Sequence, residues 1–324
     1  MVRLDLDRMR RAAAVIDPVF VGTPQFACGP LGEALGCSVT LKVETLNPVR
    51  SFKGRGTETV LAGLARHPAP PAVVCASAGN LGQALAYSGV RRDIPVVVFA
   101  AETANRLKIE RIRALGARVH LEGADIEDAR TLARRHAERV GAHLVEDSLD
   151  RATCEGAGTI GLELAAADAF DVVLVSLGGG ALASGVGYAL QRLVPGTRVI
   201  GVQPLGAPAM ARSWQRRAVV ETDAVDTIAD GVAGRFPIPE VLDDLLEVLD
   251  DVVLVEEDSI RTAMRHLYER AGIVAEPAAA LGVAALLEDP DRFAGRRVAT
   301  IICGSNVAPE DFERWVLQAL SRPS

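Results

Sequence analysis

Apolar runs of strand length alternate with amphipathic stretches of helix length through most of the chain. This alternation is typical of an α/β fold with much parallel sheet. The predicted strands are 38–43, 72–75, 96–100, 118–121, 143–145, 171–177, 198–202, 251–255 and 298–303. The predicted helices are 54–66, 82–88, 103–115, 125–140, 182–193, 259–271 and 278–287. Because the strands number more than eight, the pattern predicts two α/β lobes with a binding cleft between them.

The composition excludes some classes of function but does not change the predicted fold class. The 324 residues are 49% hydrophobic, and 35 Lys and Arg against 42 Asp and Glu give a net charge of −7. That sign is wrong for a surface that binds nucleic acid. No apolar run approaches the roughly 18 residues that span a bilayer, and the N-terminal segment is charged where a signal peptide is apolar. We therefore expect a cytoplasmic protein that binds neither nucleic acid nor a membrane.

The cysteines and histidines are scattered along the chain. The five cysteines are odd in number and include no C-x-x-C pair, and the five histidines form no H-E-x-x-H motif. Neither a disulfide framework nor a zinc ribbon fits these spacings. We therefore expect free thiols and no zinc site of these kinds.

Lysine is rare, with only three residues available for amine chemistry. Lys42 alternates with apolar neighbours, which predicts the polar face of a strand and a solvated charge. Lys108 falls in a charged amphipathic segment, which predicts an ordinary surface helix. Lys53 follows a turn at the start of a helix, between Gly54 and Gly56, so another molecule can approach its amine closely. Lys53 is therefore the candidate nucleophile or base.

Two segments have the sequence of an anion-binding turn. Residues 73–83 predict a strand, a loop of small residues and a helix, where Ser77, Asn80 and backbone amides form a site for a carboxylate or another anion. A simple turn with a helix cap explains the same residues. Residues 171–185 predict an apolar strand, three glycines and a helix, an arrangement that surrounds a phosphate monoester with backbone donors. No Gly-Lys-Ser/Thr follows, so the segment is not a P-loop.

A literal G-x-G-x-x-G motif occurs at residues 156–161. The dinucleotide-binding fingerprint needs a strand immediately before the glycines, whereas residues 147–155 are polar and predict a turn. We therefore expect no dinucleotide site here.

Six motifs together carry a resemblance to a known family. They are Ser51-Phe-Lys-Gly-Arg-Gly56, Ser77-Ala-Gly-Asn80, Gly178-Gly-Gly-Ala-Leu182, Thr227-Ile-Ala-Asp-Gly231, Glu276-Pro277 and Cys303-Gly-Ser-Asn306. Their order and spacing resemble the threonine/serine dehydratase family of fold-type-II pyridoxal-phosphate enzymes. The resemblance implies two open, twisted α/β lobes with pyridoxal phosphate in the cleft, an amino-acid substrate and a homodimer. It also implies a large cofactor-binding domain of about residues 1–48 and 149–324 and a small substrate-side domain of about residues 49–148.

The resemblance implies a role for each matching residue. Lys53 would form the Schiff base with the cofactor, Asn80 would contact its ring hydroxyl, and Cys303 would face its pyridine nitrogen. Phe52 and Glu276 would also contact the cofactor. The phosphate would be held by Gly178, Gly179, Gly180, Ala181 and Leu182, and the substrate carboxylate by Ser77, Ala78, Gly79 and Asn80.

The chain departs from the family pattern at several positions. Ala78 stands where related serine racemases have a proton-donating serine, so we expect elimination rather than racemisation. Gln203 and Ala209 align with the carboxylates of metal-dependent relatives, and neither is a charged ligand, so we expect no metal site.

Three departures lie near the expected pocket. Leu81 replaces a frequent histidine, residues 147–151 replace a Pro-Phe-Asp-Asp-like wall, and Arg50 stands where a small residue is common. Arg50 would pair with an extra anionic group of the substrate, or it is a solvated rim residue.

These features predict an ammonia-lyase that performs β-elimination on a hydroxy amino acid such as L-threonine or L-serine, or on a polar or acidic analogue. The products would be a 2-oxo acid and ammonia. One alternative is a β-replacement synthase of the cysteine-synthase type, which traps the intermediate with a second nucleophile. A more remote alternative is a non-catalytic, two-lobed protein that binds a small molecule.

Overall fold

The computed structural model describes residues 2–318. The strands are β1 (Gln25–Ala27), β2 (Ser38–Val43), β3 (Val73–Ala76), β4 (Val96–Ala100), β5 (Arg118–Leu121), β6 (His143–Leu144), β7 (Val172–Ser176), β8 (Arg198–Pro204), β9 (Asp251–Val255) and β10 (Arg297–Ile302). The helices are α1 (Leu6–Val15), α2 (Gly29–Leu35), α3 (Lys53–Leu64), α4 (Asn80–Val90), α5 (Arg106–Ala114), α6 (Ile126–Val140), α7 (Arg151–Ala167), α8 (Ala181–Leu193), α9 (Ala209–Arg216), α10 (Pro239–Val248), α11 (Glu257–Ala271), α12 (Pro277–Glu288), α13 (Pro290–Phe293) and α14 (Pro309–Phe312). None of the helices in this part of the chain has the length and apolar character needed to cross a membrane.

The larger sheet has the strand order β1-β2-β10-β7-β8-β9. All neighbouring pairs are parallel except β1 and β2, which are antiparallel. The central strands β7 and β10 are apolar and buried because helices cover both faces of the sheet. Helices α7 and α8 pack against each other on one side, and α11 and α12 pack together as a second layer.

The smaller sheet has the strand order β5-β4-β3-β6, and all its strands are parallel. Its core is a separate apolar cluster formed with α4 and α5, while α6 packs alanines against the opposite face. Two sheets with separate cores confirm the predicted two-lobed α/β fold. All strands of the smaller sheet lie within residues 49–148, and all strands of the larger sheet lie outside that range; the domain boundaries themselves remain a proposal.

The prediction of a solvated Lys42 is wrong. Its side chain is only 2% exposed, and its Nζ donates to Glu163 Oε2 at 2.5 Å and to the Thr23 carbonyl at 2.8 Å. Alternation along a strand indicates a solvated face only when one face of the sheet is open. Here β2 is covered on both faces, so its polar residues are buried and need partners.

The glycines of the G-x-G-x-x-G motif lie inside α7, where they let helices pack closely. A Cβ at Gly156 would lie 2.4 Å from the Arg55 carbonyl oxygen on α3, and a Cβ at Gly158 would lie 2.7 Å from Met9 on α1. No strand lies immediately before these glycines, because the described residues 151–155 already belong to α7. The turn predicted for residues 147–155 is present only as a short 3₁₀ turn at Asp147–Leu149, because α7 already begins at Arg151.

Candidate active site

A cavity of about 640 Å³ lies between the two sheets. The segments after β3, β7 and β10 all contribute to its wall, as does the start of α3, which follows β2. The carboxyl ends of parallel strands lie at the same edge of a sheet, and ligands of open parallel sheets bind in the crevice beyond that edge. The cavity therefore joins loops that are far apart in the sequence.

Lys53 is the first residue of α3, and its position is fixed by the segment after β10. The Phe52 amide donates to the Cys303 carbonyl at 3.0 Å, and Ser51 forms a β-bridge with Gly304. The Lys53 Nζ lies 2.5 Å from Asp147 Oδ2 and 4.6 Å from the centre of the Phe52 ring. Its side chain is 17% exposed. The amine is therefore anchored on a rigid helix and open to the cavity.

The three glycines after β7 form a turn with free backbone donors. The amides of Gly178, Gly179 and Gly180 donate to no acceptor in residues 2–318. Gly180 has φ +106°, and a Cβ there would lie 2.4 Å from Val241 Cγ1. Ala181 and Leu182 open the 13-residue helix α8, whose N-terminus attracts negative charge. The turn can therefore bind an anion such as a phosphate.

The loop after β3 forms a second anion site at the start of α4. The amides of Ala78, Asn80 and Leu81 donate to no acceptor within the described part of the chain. Ser77 Oγ accepts the Gly79 amide at 3.1 Å and holds the turn in place. These donors, all on the cavity wall, suit a carboxylate.

A hydrogen-bond network runs along the floor of the cavity. Asn80 Nδ2 donates to Glu276 Oε1 at 2.8 Å, and the Asn306 amide donates to Glu276 Oε2 at 2.9 Å. Asn306 Nδ2 donates to Asn80 Oδ1 at 2.8 Å. Burial, followed by the negative charge of Asp230, raises the pKa of Glu276 to about 7. Glu276 therefore changes charge near neutral pH.

Cys303 supplies a neutral thiol to the same wall. Its Sγ lies 3.9 Å from Ser176 Oγ, and both residues are buried. Burial, with a smaller contribution from Glu276, raises the pKa of the thiol to about 12. The group therefore stays protonated at neutral pH.

The structure brings most of the predicted site residues together. Phe52, Lys53, Ser77, Ala78, Gly79, Asn80, Gly178, Gly179, Gly180, Ala181, Leu182, Glu276 and Cys303 all line the cavity. Arg50 does not line it: the residue is exposed, adopts φ +52°, and engages the neighbouring loops through its backbone. Its proposed contact with a substrate anion stays a prediction.

Sequence reasoning missed several residues of the site. Lys108 lies on the amphipathic surface helix α5 as predicted, but its Nζ also pairs with Asp230 at the cavity, which was not predicted. Asp147 contacts Lys53, and Ser148 Oγ accepts the Ala181 amide at 3.1 Å. The departure from the family pattern at residues 147–151 was the available signal for Asp147 and Ser148, whereas Lys108 had no local signal.

The chain is similar in sequence and in structure to known proteins. The model of the family described as pyridoxal-phosphate dependent enzyme matches residues 16–304. An L-threonine ammonia-lyase of Thermotoga maritima is 35% identical over 318 residues, covering 98% of this chain and 79% of that protein. The biosynthetic L-threonine dehydratase IlvA of Halalkalibacterium halodurans is 33% identical over 312 residues, covering 94% and 75%. The solved structure of maize serine racemase has a TM-score of 0.88 and 27% identity, and covers 98% of each chain.

Proposed function

Because this chain belongs to the family of pyridoxal-phosphate dependent enzymes, we propose that it is an ammonia-lyase that acts on a hydroxy amino acid such as L-threonine or L-serine. It is a pyridoxal-phosphate dependent lyase. The observation that carries the proposal is the Lys53 amine in a cavity that also contains two separate anion sites.

The residues of the cavity fit pyridoxal phosphate. The unbonded amides of Gly178–Gly180 and the absence of Cβ atoms there form a cradle for its phosphate. Lys53 would hold its aldehyde carbon, and the neutral Cys303 thiol suits an uncharged ring nitrogen. Asn80 would contact its ring hydroxyl. When bound, the cofactor supplies the electron sink that makes the Cα proton of an amino acid acidic.

The residues of the cavity have separate proposed roles in the reaction. The amides at the start of α4 would bind the substrate carboxylate and fix the orientation of Cα. The Lys53 amine would take the proton from Cα. Ala78 has no group that could return a proton to the opposite face, which supports elimination over racemisation. The proposed products are a 2-oxo acid and ammonia.

The cofactor attachment is tested by borohydride reduction. We expect the purified protein to have a visible absorption band that borohydride bleaches, with the reduced adduct on the Lys53 peptide. The other two lysines serve as internal controls, since Lys42 is buried and Lys108 is paired with Asp230. A Lys53→Ala variant should lose the band. A protein that stays unlabelled after addition of pyridoxal phosphate would overturn the proposal.

The reaction is tested by incubating the holoenzyme with L-threonine and L-serine separately, without any added thiol. We expect release of the 2-oxo acid and ammonia in equal amounts. Chiral analysis of the remaining amino acid checks for racemisation. Accumulation of the D-enantiomer without 2-oxo acid, or turnover only after a thiol is added, would contradict the proposed elimination.

A further inference from the structure

The Asp147 carboxylate has one oxygen with a partner and one without. Its Oδ2 lies 2.5 Å from Lys53 Nζ. Its Oδ1 is buried and has no hydrogen-bond partner among the described residues. A buried carboxylate oxygen without a donor is unfavourable. Because Asp147 lines the cavity, the missing donor can be supplied by a ligand.

Asp147 is held in place independently of Lys53. Thr153 Oγ1 donates to the Asp147 carbonyl at 2.9 Å. Arg3 donates to the carbonyls of the next two residues, at 3.2 Å and 2.8 Å. Ser148 Oγ ties the same turn to the Ala181 amide. The backbone that carries Asp147 is therefore held beside the cavity by contacts that do not involve Lys53.

The inference rests on the proposed function, in which Lys53 bonds to the cofactor through Nζ. An amine in that bond no longer presents an ammonium group with three donors to Asp147. An incoming amino acid carries an ammonium group with the same charge and donor geometry. We propose that Asp147 is the ammonium subsite of the cavity, which binds the α-ammonium of the substrate in the place of the Lys53 ammonium.

Asp147 would also accept a proton that the substrate ammonium loses. The substrate nitrogen acts as a nucleophile only after it loses a proton. An N–H bond of the substrate ammonium breaks and an O–H bond forms on Asp147. The two remaining N–H bonds of the substrate nitrogen break as that nitrogen replaces Lys53, and both protons bond to Lys53 Nζ. Lys53 is then released as a neutral amine, the form that can take the Cα proton, while Asp147 keeps the first proton, so no other reactant is needed.

Asp147→Asn tests the proposal, with Asp150→Asn as the matched control. Both substitutions remove one negative charge from the same turn while preserving size. Asp150 does not line the cavity, and its side chain caps α7, a position that asparagine also fills well. Asp147→Glu is a second variant, which keeps a carboxylate.

The first readout uses the full chain stripped of its cofactor. Formaldehyde with cyanoborohydride methylates accessible lysines, and peptide mass spectrometry compares Lys53 with Lys108 in the same sample. Asp147→Asn should label Lys53 several-fold faster, because the carboxylate no longer holds the amine. Asp150→Asn should label it at the wild-type rate. Equal labelling in all variants would overturn the pairing.

The second readout uses the holoenzyme. L-Threonine and L-serine are titrated while the cofactor absorbance is followed. Asp147→Asn should raise the half-saturating concentration by tenfold or more, Asp147→Glu by less, and Asp150→Asn by under twofold. A wild type without the band would defeat the proposed function, whereas unchanged labelling and titration in a band-containing Asp147→Asn would defeat the subsite alone.

Discussion

Glu276 is a buried carboxylic acid in the hydrogen-bond network of the cavity. Its carboxyl group is buried and its pKa is raised to about 7, chiefly by burial. An acid whose pKa is higher in the folded protein binds its proton more tightly there than in the unfolded chain. The stabilising contribution is therefore fully present below about pH 4.5 and is lost as the pH rises to about 7.

Glu276→Gln should remove this pH dependence. Relative to the variant, the free energy of unfolding of the wild type should fall by about 2 kcal/mol between about pH 5 and pH 8. Urea denaturation of both proteins at the two pH values measures the difference. Glu240→Gln, at an exposed carboxylate on α10, is the control. A difference between wild type and Glu276→Gln that does not change with pH would contradict the assigned pKa.

Site residues that stand out from their neighbouring sequence were predictable. Residues whose partners lie far away in the sequence were not. Lys53 stands out because lysines are rare and because it lies between glycines at a helix start. Asp147 is 94 positions from Lys53, so no spacing rule could join them. Lys42 has the alternating pattern of an exposed strand residue, and only the burial of both sheet faces makes it an internal charge.

At the scale of elements, the turn between β7 and α8 depends on glycine for both conformation and space. Gly180 has φ +106°, which L-residues with a Cβ rarely adopt, and its Cβ would overlap Val241. Gly180→Ala should therefore displace the turn and weaken pyridoxal-phosphate binding by about tenfold or more. Equilibrium titration of the cofactor by absorbance measures the effect.

Gly196→Ala is the matched control, because it lies in the loop before β8 with open space around its Cβ position. It should bind the cofactor as the wild type does. If Gly180→Ala also bound the cofactor with wild-type affinity, the turn could not be the phosphate site.

Most long elements were predictable to within a few residues because the period of their apolar positions is clear. Strands β2, β4, β5 and β9 have the predicted bounds. The strand β1 was missed because it has three residues at a sheet edge. Helix α7 was missed because its small residues serve contact with α3 and α8 instead of forming an apolar stripe. Close helix packing leaves little periodic signal.

At the scale of the whole molecule, helices of the smaller lobe form polar contacts with the larger lobe at the rim of the cavity. Lys108 on α5 pairs with Asp230. Arg111 on the same helix donates to Asn306 Oδ1 at 3.3 Å, and Arg235 lies 3.8 Å from Asp125 at the start of α6. The two-lobed plan was predictable from the strand count, but these bridging pairs were not, because each joins residues on different lobes.

The Lys108–Asp230 pair should affect substrate binding more than folding. Asp230 is 66% exposed, and ion pairs of this kind contribute at most about 1 kcal/mol. Each lobe keeps its own core when the pair is lost, so the lobes part more readily without unfolding. Lys108→Ala should raise KM for the hydroxy amino acid by up to about fivefold and leave Tm nearly unchanged.

Exchanging the charges of Lys108 and Asp230 tests whether KM depends on the attraction between the two residues or on the charge of either residue alone. Lys108→Asp and Asp230→Lys should each raise KM, because each places like charges together at the rim. The double variant restores opposite charges and should recover most of the affinity, since attraction between the lobes depends on the sign of the pair and not on its direction. Arg106→Ala removes an exposed positive charge from the same helix and should leave KM within twofold. If the double variant is no better than the sum of its single changes, the pair does not hold the lobes together.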